Sequence, residues 1–403
     1  MPPTNNTDPY NPIFYAQEAL MLLENALGMA GRVYRGYDTE RKSANVGDTI
    51  RIKKPGTFTT QAGGTGTAMN LTPSYIDLTV DTWREVKFSL TDQELAKTGP
   101  QIISDHISPA TYAIANYIET TLTGLYTSVP WSYDIGPGGA TVDIGDIVDC
   151  RKVLRDNAGG LIDTDLTYYA IDSTMEAAFL ANTVFHSASV AGSDSDMPRR
   201  RGYLGTRFGT ELFVQQTLTN HTSGTIVSAT NDVLGSIVGA NAIRSTTISV
   251  ENFAGGGGIE TLVAGDSLVI AGNTQRYAVT ATATMAAGLN TAVGIYPPLV
   301  AACTGGEVVT CETKSATNFS DRYFVNLMFH RNAFAIALAP LPEIGDGAGA
   351  RMAVITDPRT GLSIRSRLAY DDTLATVLVT LDVLYGVKCL DPNLAVVARR
   401  NYA

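Results

Sequence analysis

The chain has 403 residues, enough for about two or three domains and a sizeable core. Charged residues make up only 17% and the formal net charge is −10. This acidic balance argues against a dedicated nucleic-acid binder, which carries a strong basic excess, and leaves room only for weak contact through a local basic patch. No run approaches the roughly 18 apolar residues of a membrane span, and the polar, proline-rich start MPPTNNTDPYNP does not read as a signal peptide.

In chain order, Met1 to Pro12 reads as an arm, flexible or ordered only on assembly, in which Pro2, Pro3, Pro9 and Pro12 forbid a helix. Ile13 to Gly31 predicts a helix with Phe14, Leu20, Leu23 and Leu27 at apolar positions and Gly28 and Gly31 as stop signals. Arg32 to Lys54 is basic (Arg32, Arg35, Arg41, Lys42, Arg51, Lys53, Lys54) against Asp38, Glu40 and Asp48. It reads either as a solvated loop and strand edge or as an arm that touches an acidic neighbour or a polyanion. From Gly47 to Leu90 the pattern turns to β: the alternating DTIRIKKP, a Gly/Thr-rich tip, then SYIDLTVDTWREVKFSLT. Two long strands around such a tip predict an extended β-hairpin. It has too few large apolar residues to bury both faces, so it should lie on something, a neighbouring subunit being one choice. Thr91 with Glu94 forms a capping-box pattern that predicts a short helix over Thr91 to Gly99.

Gln101 to Ser128 is the most strongly patterned stretch. Ile103, Ile107, Ala110, Ile114, Tyr117, Ile118, Thr121, Leu122 and Leu125 recur at intervals of three and four, which predicts an amphipathic helix roughly 40 Å long. Pro109 inside it predicts a kink, or a restart with Ser108 as N-cap. After the loop WSYDIGPGGATV, Ile144 to Gly160 predicts an amphipathic helix (Ile147, Val148, Val153, Leu154) ended by Gly159 and Gly160. LTYYAID predicts a buried strand and STMEAAFLANTVF a helix with Ser173 as N-cap. SASVAGSDSDMP is a loop, followed by RRRGYLGTRFGTELFVQQ with Gly202, Gly205, Gly209 and a strand over Glu211 to Gln215.

Asn220 to Glu312 differs from its surroundings: it is poor in charge, rich in Thr, Val, Ala and Gly, and broken into short β-like runs (TTISVENF, DSLVIAG, YAVTATAT, AVGIYPPL, GEVVTCET). This spacing predicts a small β-barrel or sandwich inserted into a fold that continues on either side. Phe324 to Val397 is again β-rich, with Ser363, Arg365 and Arg367 alternating with Leu362, Ile364 and Leu368. No segment repeats elsewhere, so a solenoid is not expected.

Signals for chemistry are few. GDSL at Gly265 to Leu268 carries the letters of an esterase class with a nucleophilic Ser, here Ser267. The motif sits mid-chain in a β-rich segment, and no Asp-x-x-His follows, His330 being the only later histidine. A nucleophilic Ser needs a base within hydrogen-bond reach, so a Gly-Asp turn entering a strand is the expected role. His106, His186, His221 and His330 are scattered, and none pairs with another at ligand spacing. There is no Walker phosphate loop and no dinucleotide fingerprint. Cys150, Cys303, Cys311 and Cys389 match no zinc spacing and read as reduced core residues, in keeping with an intracellular, reducing compartment. Arg199 to Arg201 form a cluster that is either a solvated loop or a contact for an acidic surface. No catalytic, cofactor-binding or metal-ligating residue is assigned, and no cofactor is expected.

Four stretches in this order carry a resemblance: TDQELA leading to ISPATYAIANYIETTLTGLY; YLGTRFGTELFVQQ; VAGDSLVIAGNTQRYAV; and HRNAFAIALAPLP followed by GLSIRSRLAYDDTLATVLVTLDVLYGVKCLDPNLAVV. Over nearly its whole length the chain resembles the major coat proteins of tailed bacteriophages with the Hong Kong 97-type fold, and more narrowly those of short-tailed Salmonella phages with an inserted β-domain. The resemblance implies an α+β fold with an N-terminal arm and helix over 1–46 and an extended loop over 47–90. A peripheral domain with the spine helix Gln101 to Ser128 follows over 91–165. The first part of an axial domain takes 166–219, an inserted barrel-like β-domain 220–312, and the axial and peripheral return 313–403. It implies a coat protein that self-assembles as pentamers and hexamers into an icosahedral shell around double-stranded DNA, without enzymatic activity. Scaffolding, portal and decoration proteins are its implied partners, DNA is contacted non-specifically and no membrane is involved. Synthesis in the host cytoplasm and residence in the virion follow. Some relatives cross-link a Lys to an Asn of a neighbour; Lys53 and Lys54 lie near the extended loop, but no cross-link is predicted. A GDSL-type esterase acting through Ser267, and a tail or surface binding module built on Asn220 to Glu312, are the alternatives.

Overall fold

The computed structural model describes residues 12–36, 49–54, 74–91, 93, 101–136, 142–157, 166–186, 202, 204–225, 233–252, 259–286, 289–311, 322–342, 350–356 and 362–401. The fold is mixed α+β, mostly strands with few helices. It divides into two compact units, one of Met1–Glu119 with Phe334–Leu390, the other of Thr120–Ala333 with Asp391–Ala403. The arm Met1 to Asn11, most of the predicted helix after Thr91, and the cluster Arg199 to Arg201 lie outside the described residues.

The first unit is built on a five-stranded antiparallel sheet. Its longest strand, Thr376–Cys389, pairs on one side with Thr82–Thr91. On the other side it pairs with Ser363–Asp371 and then Phe334–Ala339, and Ala350–Thr356 completes the sheet beyond Ser363–Asp371. Residues Val379 to Val383 of the long strand are all buried, so with a side-chain period of two both faces are covered, Val379, Leu381 and Val383 on one and Thr380 and Asp382 on the other. The helix Pro12–Ala26 packs on the strands Ala350–Thr356 and Ser363–Asp371, with Ala16, Ala19 and Leu23 buried. Pro12, expected to lie outside any helix, begins this one; at a first helical position its missing N–H is no loss.

Among the described residues the second strand of the predicted β-hairpin is divided between two partners. Thr49–Lys54 pairs with Ser74–Thr79, Ile52 opposite Ile76. At Val80 and Asp81 the chain then changes partner, and Thr82–Thr91 joins the five-stranded sheet. The ribbon does have something to lie on, within its own unit. Ile50, Ile52, Leu78 and Val80 pack against Ala335, Ala337 and Ala339. The contact is close enough that a Cβ on Gly386 would stand 2.0 Å from the Thr79 carbonyl oxygen.

Gln101–Thr123 is one α-helix that runs through Pro109, followed by a turn of 3-10 helix over Gly124–Ser128. The predicted restart at Ser108 does not occur. Ile107, Ala110, Ile114, Ile118 and Leu122 form the buried stripe. Pro109 faces solvent. Tyr117, assigned to the stripe by its spacing, is exposed instead: Arg84 stacks 4.1 Å from its ring centre and donates to its hydroxyl.

In the second unit a seven-stranded mixed sheet runs in the order Ser132–Ile135, Ala395–Asn401, Arg322–His330, Thr167–Ile171, Thr210–Val214, Thr206–Arg207, with Asn220–Thr222 also paired to Arg322–His330. The helices Ile144–Asn157 and Ser173–Ala181 supply Ile147, Cys150, Leu154, Met175 and Phe179 to a core shared with Tyr169, Ile171, Met328 and Val396. Val148, expected on the buried stripe, is exposed. The cap of the second helix is Asp172 rather than Ser173: its carboxylate accepts from the Thr174 and Met175 amides, and a carboxylate is favoured at the positive end of the helix dipole. That helix ends at Asn182, and Thr183–His186 forms a separate turn.

Strands Thr247–Asn252, Asn290–Tyr296, Arg276–Val279, Ser267–Ile270, Val308–Cys311 and Val233–Ile237 close into a barrel in that order. Its interior is apolar, with Ile248, Val250, Leu268, Tyr277, Val293 and Val309 fully buried. The chain leaves the seven-stranded sheet after Asn220–Thr222 and rejoins it at Arg322, and Thr222 and Arg322 lie directly opposite each other in the ladder. The barrel therefore springs from two adjacent strands of one sheet.

Candidate functional site

Among the described residues two clusters of polar side chains are buried deeply enough to be candidates, one in each unit. In the second unit the GDSL letters are folded into a turn. Gly265 adopts φ +102, a conformation open to glycine, and Ser267 opens a barrel strand. The Asp266 carboxylate between them accepts the Val263 amide at 2.7 Å and the Gly224 amide at 3.2 Å on one oxygen. On its other oxygen it meets His221 Nε2 at 3.1 Å. His221 and Asp266 are 2% and 1% exposed. The second imidazole nitrogen, Nδ1, lies 3.0 Å from the Tyr126 hydroxyl. Nε2–H donating to the carboxylate and Nδ1 accepting from Tyr126 satisfy both ring nitrogens. The rings of Tyr126 and Tyr323 enclose the imidazole at 5.7 and 5.1 Å, and burial raises the pKa of both phenols, keeping them neutral.

This arrangement withholds the base that Ser267 would need. Ser267 Oγ donates to the Pro130 carbonyl at 2.7 Å, and neither nitrogen of His221 is turned to it. The network instead braces the barrel on the sheet: His221 belongs to a sheet strand, Asp266 and Ser267 to the barrel, Tyr126 and Pro130 to the connection after the long helix. A small cleft beside it is lined by Tyr126, Pro130, Ser132, Ser267, Tyr323 and Arg399. Arg399 is held by Asp134 at 2.6 Å. A second brace joins the same two parts, as Asn393 Oδ1 accepts from both Trp131 Nε1 and Gln275 Nε2 at 2.9 Å.

In the first unit the centre is ionic. Arg365 forms a two-pronged pair with the fully buried Asp382 at 3.0 and 2.6 Å and donates to the Pro342 carbonyl at 3.0 Å. Arg367 reaches Asp382 at 3.1 Å and Glu85 at 2.6 Å. The Trp83 indole N–H donates to Asp382 at 3.2 Å, and its ring centre stands 6.0 and 5.9 Å from the two guanidinium carbons. Trp83 is nonetheless 53% exposed, so the cluster holds an indole in a fixed pose at the surface. A further buried carboxylate, Glu119 of the long helix, accepts the Met29 and Ala30 amides at 3.0 Å each, just past the end of the first helix. Burial raises its pKa, while those amides act in the opposite sense.

The remaining sequence candidates are not brought together. His106 is exposed against Phe88. His330 is buried and accepts the Asn332 amide through Nδ1. The side chain of His186 lies outside the described residues, as does that of Lys54, while Lys53 is exposed on the ribbon. All four cysteines are buried thiols, the Cys150 pKa being raised by burial. Among the described residues no group of three or more His, Cys, Asp or Glu side chains could hold a metal ion, and no helix is long and apolar enough to cross a membrane. Sequence reasoning missed both polar centres and Glu119. The alternation Ser363, Arg365, Arg367 was the one signal of the ionic cluster.

No family model and no curated protein matches the chain. Solved structures do. That of Mycobacterium phage Che8 is similar over 92% of this chain and 90% of its own, at 12% identity and a TM-score of 0.49. The capsid structure of the cyanophage P-SCSP1u is similar over 89% and 85%, at 10% identity and 0.45. The asymmetric unit of the mature capsid of bacteriophage PhiM1 is similar over 89% and 83%, at 10% identity and 0.42. Structures of phages and of phage capsids are thus what this chain is similar to, at identities and scores that assign no family.

Proposed function

We propose that this chain is a major coat protein that assembles as pentamers and hexamers into an icosahedral shell around phage double-stranded DNA. The observation that carries the reading is the barrel rooted in two adjacent, directly paired strands of a larger sheet. It coincides with the stretch for which the sequence resembles coat proteins with an inserted β-domain. The order of the other parts supports it: a β-ribbon before a long helix, then a mixed sheet, then the barrel, then the return. In this reading 1–46 is the N-terminal arm and helix, 47–90 the extended loop and 91–165 the peripheral domain. Residues 166–219 begin the axial domain, 220–312 are the inserted domain and 313–403 the return. Scaffolding, portal and decoration proteins are the expected partners, DNA is enclosed without specific contact, synthesis is in the host cytoplasm and residence in the virion.

The esterase alternative loses its support, because Ser267 donates to a backbone carbonyl and the imidazole beside it is fully engaged. Expression of the chain alone and with a co-expressed scaffold, followed by negative-stain electron microscopy and sedimentation velocity, tests the shell reading. Closed shells are expected. A chain that stayed monomeric in every assembly condition would overturn it.

A further inference from the structure

The strand Thr82–Thr91 pairs along its length with Thr376–Tyr385 on one side. Among the described residues no strand pairs with its other side. Trp83, Arg84, Glu85, Lys87 and Ser89 are exposed and Val86 half-buried. Charged residues on an edge strand ordinarily discourage further pairing. Here their order makes the edge complementary to itself.

A second copy related by a two-fold axis normal to the sheet runs antiparallel and keeps its faces in common, so only registers centred on a residue are open. Centred on Glu85 or Lys87, such a pairing sets like charges directly opposite each other; centred on Arg84, it does the same. Centred on Val86, it sets Glu85 opposite Lys87 of the second copy, and does so twice. It also places Arg84 opposite Phe88 and Val86 opposite itself. The same register lies nearly at the middle of the strand, so it gives close to the longest ladder that two such edges can form. Opposite charges and cation–aromatic pairs in directly facing positions favour a register, and like charges disfavour it. The pose of Glu85 and Trp83 is set beforehand by Arg367 and Asp382, which lowers the entropy lost on association.

We propose that two copies of this chain join edge to edge through Thr82–Thr91, antiparallel about Val86, continuing the five-stranded sheet from one copy into the next. The proposal rests on the shell reading, of which it names one contact between copies. Its test is the full chain carrying Val86→Cys, with Ser89→Cys as control. Facing Cα atoms in an antiparallel pair are spaced for a disulfide, and the native thiols are buried. Under mild oxidation Val86→Cys should run as a linked dimer on a non-reducing gel and Ser89→Cys, which would face Trp83, should not. Independently, Lys87→Glu should weaken self-association by roughly 10-fold in sedimentation equilibrium, since two attractive pairs become repulsive. The double variant Glu85→Lys/Lys87→Glu should recover most of it. Shells that form while Val86→Cys stays unlinked, or while both cysteine variants link equally, overturn the pairing and leave the shell reading standing. Linked dimers without any shell overturn the shell reading and leave the pairing. If Val86→Cys does not fold, an unchanged association constant for Lys87→Glu is the overturning result.

Discussion

The barrel and the five-stranded sheet solve the same problem of strand edges in opposite ways. In the barrel each of the six strands has two neighbours, so no edge remains, and an apolar cluster fills the interior. The sheet ends on Thr82–Thr91, and beside that edge lies a buried ion cluster. Apolar burial is non-directional and tolerates exchange of one shape for another of similar volume. An ion cluster is directional: it fixes where Trp83 and Glu85 point, and it fails when one member is removed. The closed region is built to persist by itself, the open one to present a defined surface.

The sharpest way to break the contrast is Asp382→Ala. It would leave Arg365 buried without its counter-charge and should cost about 3–5 kcal/mol, read as a lower denaturant midpoint for the unit that holds the sheet. Replacing Arg365 and Asp382 together by apolar residues of similar volume should recover most of that loss while freeing the Trp83 indole, visible as a change in its fluorescence. In the barrel, Leu268→Ala should cost about 2–5 kcal/mol by opening a cavity, whereas Leu268→Met should cost less than about 1.5 kcal/mol. A barrel as sensitive to Leu268→Met as to Leu268→Ala would remove the distinction. An effect smaller than that of Asp382→Ala or Leu268→Ala is expected at Glu119. Glu119→Gln turns one of its two acceptor oxygens into a donor facing a backbone N–H, and should cost about 1–3 kcal/mol. The pH dependence has a definite sign. Burial raises the folded-state pKa of this carboxyl above its unfolded value, so the native chain binds the proton more tightly. Stability from this site is therefore greatest in acid and falls as pH rises through the window between the two values. Urea denaturation at several pH values should show that slope in the native sequence and its loss in the Gln variant.

Much of this was legible in the sequence where a local rule decides the outcome. The period of three and four marked Ile107, Ala110, Ile114, Ile118 and Leu122, and turn spacing marked the barrel. Where the sequence misled, the deciding partner was distant. SYIDLTVDTWREVKFSLT is strand-like throughout, and nothing local tells that Ser74–Thr79 pairs with Thr49–Lys54 while Thr82–Thr91 pairs with Thr376–Tyr385. Tyr117 keeps the helical spacing but is drawn to the surface by Arg84. Asp172 and Ser173 are both good caps one residue apart, and the carboxylate prevails. Glu119 reads as a surface residue until the amides of Met29 and Ala30 are brought to it, and His221 is scattered until Asp266 arrives from the barrel. Residue type announces that a polar group needs a partner; only the fold says which.

The direct pairing of Thr222 with Arg322 also bears on the order in which the chain can organise itself. Closing a loop of about 100 unfolded residues costs on the order of 4 kcal/mol in chain entropy at room temperature. A barrel already closed by pairings among its own strands shortens that loop to the two linkers that join it to the sheet. The strand pair would then form almost as a local hairpin does, and the sheet around it would gain its middle strand early. Structure that forms first within the barrel thus lowers the entropic barrier to structure outside it, so the insertion acts on the folding rate of its host and not only on its final stability.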